Sequence, residues 1–385
     1  MFDLKTIRTK HDTAPEHYVL DDEGLKTAVQ MAIWLGKPLL LTGAPGTGKT
    51  QLAFKVANLL SAGGNSNVDS TCPFLDKPFV FNTKTTSTGT DLFYYYDAVR
   101  HFQRRYVDEM ENEVNVYAPT GKVTVTSSAS AAHDGRGAEE KKGATAHPFI
   151  KMNALGNAIL QAWGKDAILQ NEDLNDLQYL AEFNKLEKGP RSSVVLIDEI
   201  DKAPRDFPND LLYEIENLKF YISELMNKPV AMPPTQAQIV VIMTSNFEKN
   251  LPDAFLRRCL FYHIPFPGIN SLMKIVSTRL KPHLNELYGK EGEKLARVMS
   301  NINDNLEAII KKFEEIRNIL TDKQPATAEL LEWVKALEKL GFFNGGVDFN
   351  KLSREQQASF YLALPVLAKN DESLSVLKKK YAYAG

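Results

Sequence analysis

Cysteine is scarce: Cys72 and Cys259 are the only two in 385 residues. Two thiols so far apart build neither a disulfide framework nor a metal-ligand cluster. Stability must therefore come from an apolar core. Both cysteines read as reduced thiols, which makes the cytoplasm the expected location. An excess of charge is also lacking. Lys and Arg number 46 against 48 Asp and Glu, a net −2, so no global field draws the chain onto nucleic acid or an anionic membrane. No apolar run approaches the ~18 residues of a membrane span. The opening MFDLKTIRTKHD alternates charges around no apolar centre, so it is not expected to be a signal peptide. A hydrophobic content of 43% suffices for a large core, and the length suggests two or three domains.

Hydrophobic periodicity divides the chain in two. Residues 21–35 predict a helix with Leu25, Val29, Ala32 and Ile33 on one face, broken at Lys37-Pro38. Leu39–Leu41 predicts a buried strand, and Leu52, Val56 and Leu59 lie in helical register after it. Phe79–Asn82, Val194–Ile197 and Ile239–Met243 are further buried-strand candidates separated by helical stretches. That alternation predicts an α/β layer with a parallel sheet covered on both faces. Between residues 108 and 148 the pattern collapses, and the polar, small residues of Thr126–Pro148 predict a mobile surface loop. The amphipathic stretches Thr90–Arg105 and Phe149–Trp163 on either side predict a helical stem for this insertion. After Pro265 the strand signal disappears. Leu306, Ile310, Phe313, Ile316 and Leu320 form one stripe, and Leu330, Val334, Leu337 and Leu340 another, as in a separate helical domain. Pro365 is expected to kink any long helix in the tail.

The chemistry concentrates at strand ends. Gly43-Ala44-Pro45-Gly46-Thr47-Gly48-Lys49-Thr50 fits G-x-x-x-x-G-K-[ST] between a strand and a helix, the context of a P-loop. Its glycines let backbone N–H groups converge on phosphate oxygens. Lys49 reaches the β- and γ-phosphates as a mobile charge, and the Thr50 hydroxyl suits Mg²⁺; Gln51 follows at the helix start. Asp198 and Glu199 end an apolar strand, where ligands of open α/β sheets bind. Asp198 is expected in the Mg²⁺ shell, and Glu199 is expected to orient and polarise an attacking water. Asn246 ends a third strand and either hydrogen-bonds the γ-phosphate or the water, or caps the turn. Arg257 and Arg258 close a short predicted helix. Read alone they are a surface basic pair; at an interface, arginine stabilises charge on a neighbour's γ-phosphate.

Taken in order, GAPGTGKT, VVLIDEIDKAP, IVVIMTSN and LPDAFLRR resemble the AAA+ ATPases, most closely the MoxR-like family, over about residues 15–340. The resemblance implies a P-loop NTPase sheet sandwiched by helices over 1–265, a helical lid over 266–342 and a helical extension over 343–385. It implies an insert in the second helix at about 105–148 and a β-hairpin at about 219–233 before the third motif. It makes Asn246 the first sensor and Arg258, alone or with Arg257, an arginine finger acting in trans; Arg258 is favoured because it precedes Cys259-Leu260-Phe261. Tyr18 and Val19 would flank the adenine. ATP and Mg²⁺ would sit between subunits of a ring or spiral homo-oligomer, usually a hexamer. Such a machine remodels or activates a protein partner, often one with a von Willebrand factor A domain. One position departs from the pattern. Many relatives carry a lid arginine near Thr327–Glu329, where this chain has Ala328, with Lys323 as a nearby substitute.

Other features carry less. Arg100-His101-Phe102-Gln103-Arg104-Arg105-Tyr106 reads as a solvated helix face rather than a nucleic-acid contact. Phe93–Tyr96 reads as core and interface packing. Asn82-Thr83 reads as a polar strand end, with restraint of Glu199 as the alternative. The alternative function is the NTP-driven motor of a nucleic-acid restriction or defence system, a group sharing the insert. A binding-only scaffold is disfavoured by the intact set Lys49, Asp198 and Glu199.

Overall fold

The computed structural model describes residues 14–62, 72–114, 146–204, 207–246, 251–289, 293–344 and 346–382. Most of the expected insertion, 115–145, lies outside the described residues.

Helix α1 (Glu23–Leu35) begins at Asp22, whose carboxylate accepts from Leu25 N at 3.1 Å, and its C-cap is Gly36, a residue before the expected break. Strand β1 (Leu39–Thr42), helix α2 (Lys49–Ser61) and strand β2 (Phe79–Asn82) follow. Then come β3 (Tyr94–Tyr96), α3 (Ala98–Val114), β4 (Ile150–Met152), α4 (Ala154–Trp163) and α5 (Lys165–Gln170). Next are β5 (Ser193–Asp198), α6 (Phe207–Asn217), β6 (Lys219–Ile222), β7 (Lys228–Ala231) and β8 (Ile239–Ser245). Helix α7 (Asp253–Leu256) and strand β9 (Leu260–His263) end the α/β region.

Five strands form one parallel sheet in the order β2-β5-β8-β1-β9. Its continuous apolar runs are explained by burial on both faces, since alternate residues point to opposite sides. Leu40, Val195, Ile197, Val241 and Met243 face a core built with α4 and α6. Leu39, Leu41, Val194, Leu196, Val240 and Ile242 face a second core built with α1 and α2. The sheet is thus sandwiched by helices, as expected.

Four expectations need correction. Strand β2 is at the sheet edge, and Val80 is 38% exposed rather than buried. Leu59, on the outer side of α2, is 51% exposed. Thr90–Arg105 is not one amphipathic helix: Tyr94–Tyr96 pairs antiparallel with Ile150–Met152, so a small two-stranded sheet precedes α3. Cross-strand packing of aromatic residues outweighs helical periodicity there. Within that cluster Phe93 and Tyr94 are buried, whereas Tyr95 is 52% exposed. The hairpin expected near 219–233 is present as β6 and β7.

Beyond residue 265 every described regular element is helical: α8 (Ile269–Tyr288), α9 (Glu293–Ile319), α10 (Thr327–Lys339), α11 (Arg354–Ala363) and α12 (Asp371–Lys380). A short 3-10 turn at Leu364–Val366 separates α11 from α12, where Pro365 cannot continue a helix. One hydrophobic cluster runs from Leu272 to Leu377, so the segment after 342 shares its core with the helices before it. Leu340, the C-cap of α10, is 41% exposed and falls off the predicted stripe. No described helix is long and apolar enough to cross a membrane.

Trp333 anchors this region. It is fully buried and packs against Phe313 at 6.4 Å and edge-on to Phe360 at 5.9 Å between ring centroids. Trp333→Ala is expected to lower unfolding free energy by about 3–5 kcal/mol, the usual loss for emptying a large aromatic site. Denaturant unfolding followed by circular dichroism measures this; a loss under about 1 kcal/mol would contradict the packing described.

Candidate functional site

The parallel register brings three strand ends together. Thr42 of β1 pairs with Ser245 of β8, and Ile197 of β5 with Met243 of β8. The residues that follow each strand therefore converge at one edge of the sheet.

After β1 the chain turns through 43–48 into α2. Gly43 (φ 144°) and Gly48 (φ 89°) hold left-handed conformations that disfavour a side chain. A Cβ at Gly43 would meet the Ile264 carbonyl at 2.7 Å, and one at Gly48 would meet the Tyr18 ring at 3.0 Å. Lys49 is 7% exposed, and its ammonium donates to the carbonyls of Gly43 (2.8 Å) and Ala44 (3.1 Å). Burial pushes the Lys49 pKa down, against the pull of Asp198, Asp201 and Glu199. The loop thus holds a desolvated cation curled on its own backbone.

Opposite it stands Asp198, accepting the Thr50 hydroxyl at 2.9 Å and the Thr244 hydroxyl at 2.6 Å. Glu199 sits in the left-handed region (φ 55°, ψ 52°), a strained backbone for a non-glycine residue. The strain is held by Glu199 N donating to Thr244 Oγ1 at 2.8 Å. Asn246 reaches Glu199 Oε1 through its side-chain amide at 3.3 Å, and its backbone N–H donates to Asp201 at 3.1 Å. Lys202 takes the other Glu199 oxygen in an ion pair. Strand β2 makes a different contact: Thr83 N donates to the Asp198 carbonyl at 3.1 Å, and Asn82 is exposed.

Between these groups lies a cavity of about 930 Å³. Pro45–Gln51, Asp198, Glu199, Asn246, Tyr18 and Val19 all line it. Gly43 and Ala44 do not, acting instead through the carbonyls that hold Lys49. Burial raises the Tyr18 phenol to about 12, so it stays neutral near pH 7. The side chain of Gln51 points a buried oxygen at no partner among the described residues.

Arg257 and Arg258 are not in this cavity. Both are exposed, and Arg258 pairs with Glu216 at 2.9 Å on the outside of the same chain. Lys323 is also exposed and apart from the cavity.

Three contributions escaped the sequence reading. Thr244 is the buried link between Asp198 and Glu199. Its signal was only its place in the Thr244–Asn246 strand end. Arg279 on α8 and Lys335 on α10 also line the cavity. Ser271, Ile275 and Arg279 share one face of α8, while Leu272, Val276 and Leu280 face the helical core. That second face has a four-residue period but no motif, so the sequence alone could not assign it to the site.

The donors suit a magnesium ion. Thr50 and Asp198 offer hard oxygens, the ligand type Mg²⁺ takes alongside substrate phosphates and waters. Among the described residues no group of three or more His, Cys, Asp or Glu could hold a metal ion. No protein-family model matches this chain, and no curated protein matches it either.

Proposed function

We propose that this chain is a P-loop ATPase, one subunit of a homo-oligomer that uses ATP to remodel or activate a protein partner. One observation carries the reading: Lys49 and Thr50, Asp198 and Glu199, and Asn246 come from three separate strand ends into a single cavity. The order of motifs and its resemblance to the MoxR-like family support the oligomer and the protein partner.

The loop's backbone N–H groups and Lys49 receive the phosphates, Lys49 exchanging the Gly43 and Ala44 carbonyls for phosphate oxygens. Thr50 and Asp198 would hold Mg²⁺, which when bound would supply Lewis-acid stabilisation of negative charge on the substrate phosphates. Glu199 accepts the proton of the attacking water. Asn246 keeps Glu199 directed at the cavity, while the Lys202 ion pair competes for the same carboxylate. Tyr18, packed over Gly48, forms the wall on the base side. An arginine from a neighbouring subunit completes the charge balance, and Arg258 is the residue assigned to it.

The test measures phosphate release from Mg²⁺·ATP by the purified chain, with and without EDTA, together with sedimentation in ATP. Arg258→Ala and Glu199→Gln should each be inactive alone, the first losing ~10³-fold in turnover, as for arginine fingers. Mixing the two should restore activity, because some interfaces pair an intact Glu199 with an intact Arg258. Absence of EDTA-sensitive turnover sinks the ATPase reading. Turnover without rescue on mixing removes Arg258 from the shared site.

A further inference from the structure

Ala328 stands at the start of α10, where the motif resemblance leads one to expect an arginine, while Arg279 of α8 lines the cavity from a different helix. The start of α10 nevertheless abuts the phosphate loop. A Cβ at Gly46 would lie 3.3 Å from the Ala328 Cβ and 3.6 Å from the Ala328 amide nitrogen.

This helix start is uncapped. Its N-cap is Ala326, which has no side chain to satisfy the first-turn amides, and those amides have no acceptor within the helix. Glu329 folds back on Ala326 N at 2.8 Å and pairs with Lys369, so its charge is taken up there. Glu332, also on the cavity, is paired with Lys335 at 2.9 Å. Lys335 itself lies just over two turns along α10, ~12 Å from its start.

A second observation points to a ligand. Thr327, the first residue of α10, lines the cavity and is only 5% exposed, yet its Oγ1 has no hydrogen-bond partner among the described residues. A buried hydroxyl is rarely left in that state unless something else completes it. An uncapped helix N-terminus with a spare hydroxyl is an anion acceptor.

We propose that Thr327 Oγ1 and the first-turn amides of α10 contact the terminal phosphate, as neutral donors beside the cationic Arg279 and Lys335 that line the same cavity. The inference rests on the nucleotide reading above. Thr327 is a binding residue that senses the third phosphate, so the lid distinguishes triphosphate from diphosphate through hydrogen bonds.

The experiment compares equilibrium affinities for Mg²⁺·AMPPNP and Mg²⁺·ADP in wild type, Thr327→Ser, Thr327→Val and Thr327→Pro. Proline is compatible with the first helical position, and Ala326 is already extended (φ −106°, ψ −171°), as a residue before proline must be. Thr327→Ser should keep the wild-type affinity ratio. Thr327→Val should cut the preference for the triphosphate about tenfold, the weight of a hydrogen bond to a charged group, and Thr327→Pro should cut it further. ADP affinity should not change in either. Thr327→Val should also raise the melting midpoint of the nucleotide-free protein, because an unpartnered buried hydroxyl is removed. An unchanged ratio in both variants, or equal losses for both nucleotides, overturns the inference and leaves the nucleotide site standing. Failure of the wild type to bind either nucleotide overturns both.

Discussion

Lys49→Ala should bind nucleotide about two to four orders of magnitude more weakly than wild type. Removing one member of a buried charge pair costs about 3–5 kcal/mol, which corresponds to that range in Kd. The lysine is well placed for so large an effect. It is 7% exposed, it is held at 2.8 and 3.1 Å by two loop carbonyls, and its desolvation already lowers its pKa. The free protein therefore holds the cation at a cost, and an arriving phosphate meets it without displacing a full hydration shell. The same reasoning separates binding from folding. Losing a desolvated ammonium should leave the melting midpoint of the nucleotide-free protein unchanged or raised, although nucleotide no longer stabilises it. Calorimetric titration with Mg²⁺·ATP and thermal unfolding measure the two effects. Wild-type affinity in Lys49→Ala would remove the loop as the phosphate site.

Glu199→Gln is expected to keep nucleotide affinity and to lose turnover by ~10²–10⁴-fold, the usual contribution of a positioned base. Glutamine preserves the volume and can still meet Asn246, now 3.3 Å from Glu199 Oε1, but it cannot accept a proton from water. It also dissolves the ion pair with Lys202, so a resting contact is lost with the base. The backbone need not change, because the left-handed conformation is held by Thr244 through Glu199 N and not by the carboxylate. With hydrolysis blocked, the oligomer should accumulate in its ATP-bound form, visible by sedimentation. Single-turnover phosphate release measures the chemical step directly. Turnover within a factor of a few of wild type would show that another group handles the water.

Local sequence sufficed for features whose cause is local. Leu39–Leu41, Val194–Ile197 and Ile239–Met243 could be read as strands because burial on both faces makes every position apolar. Gly43, Gly48 and Lys49 could be read as a loop because backbone conformation and residue type are coupled at a single position. The stripes of α9 and α10 were legible for the same reason, the helical period being a property of the segment itself.

The limits fall where long-range packing overrides local preference. Tyr94–Tyr96 lies in an apparently helical stretch yet pairs with Ile150–Met152, a partner over fifty residues away. Leu59 and Leu340 keep their helical spacing but are 51% and 41% exposed, because the period of a helix does not say how far its packing against the core extends.

By itself the sequence placed Asp198, Glu199 and Asn246 at the ends of strands whose pattern is self-evident, and Lys49 and Thr50 at the start of the helix that follows the glycine-rich turn. Only the tertiary structure decided how those ends meet. Parallel register set Asp198 against Thr50, and Thr244 joined Asp198 to Glu199. It alone brought Ala326 and Ala328 to Gly46, because the approach of one helix end to a distant loop leaves no period or motif in the chain.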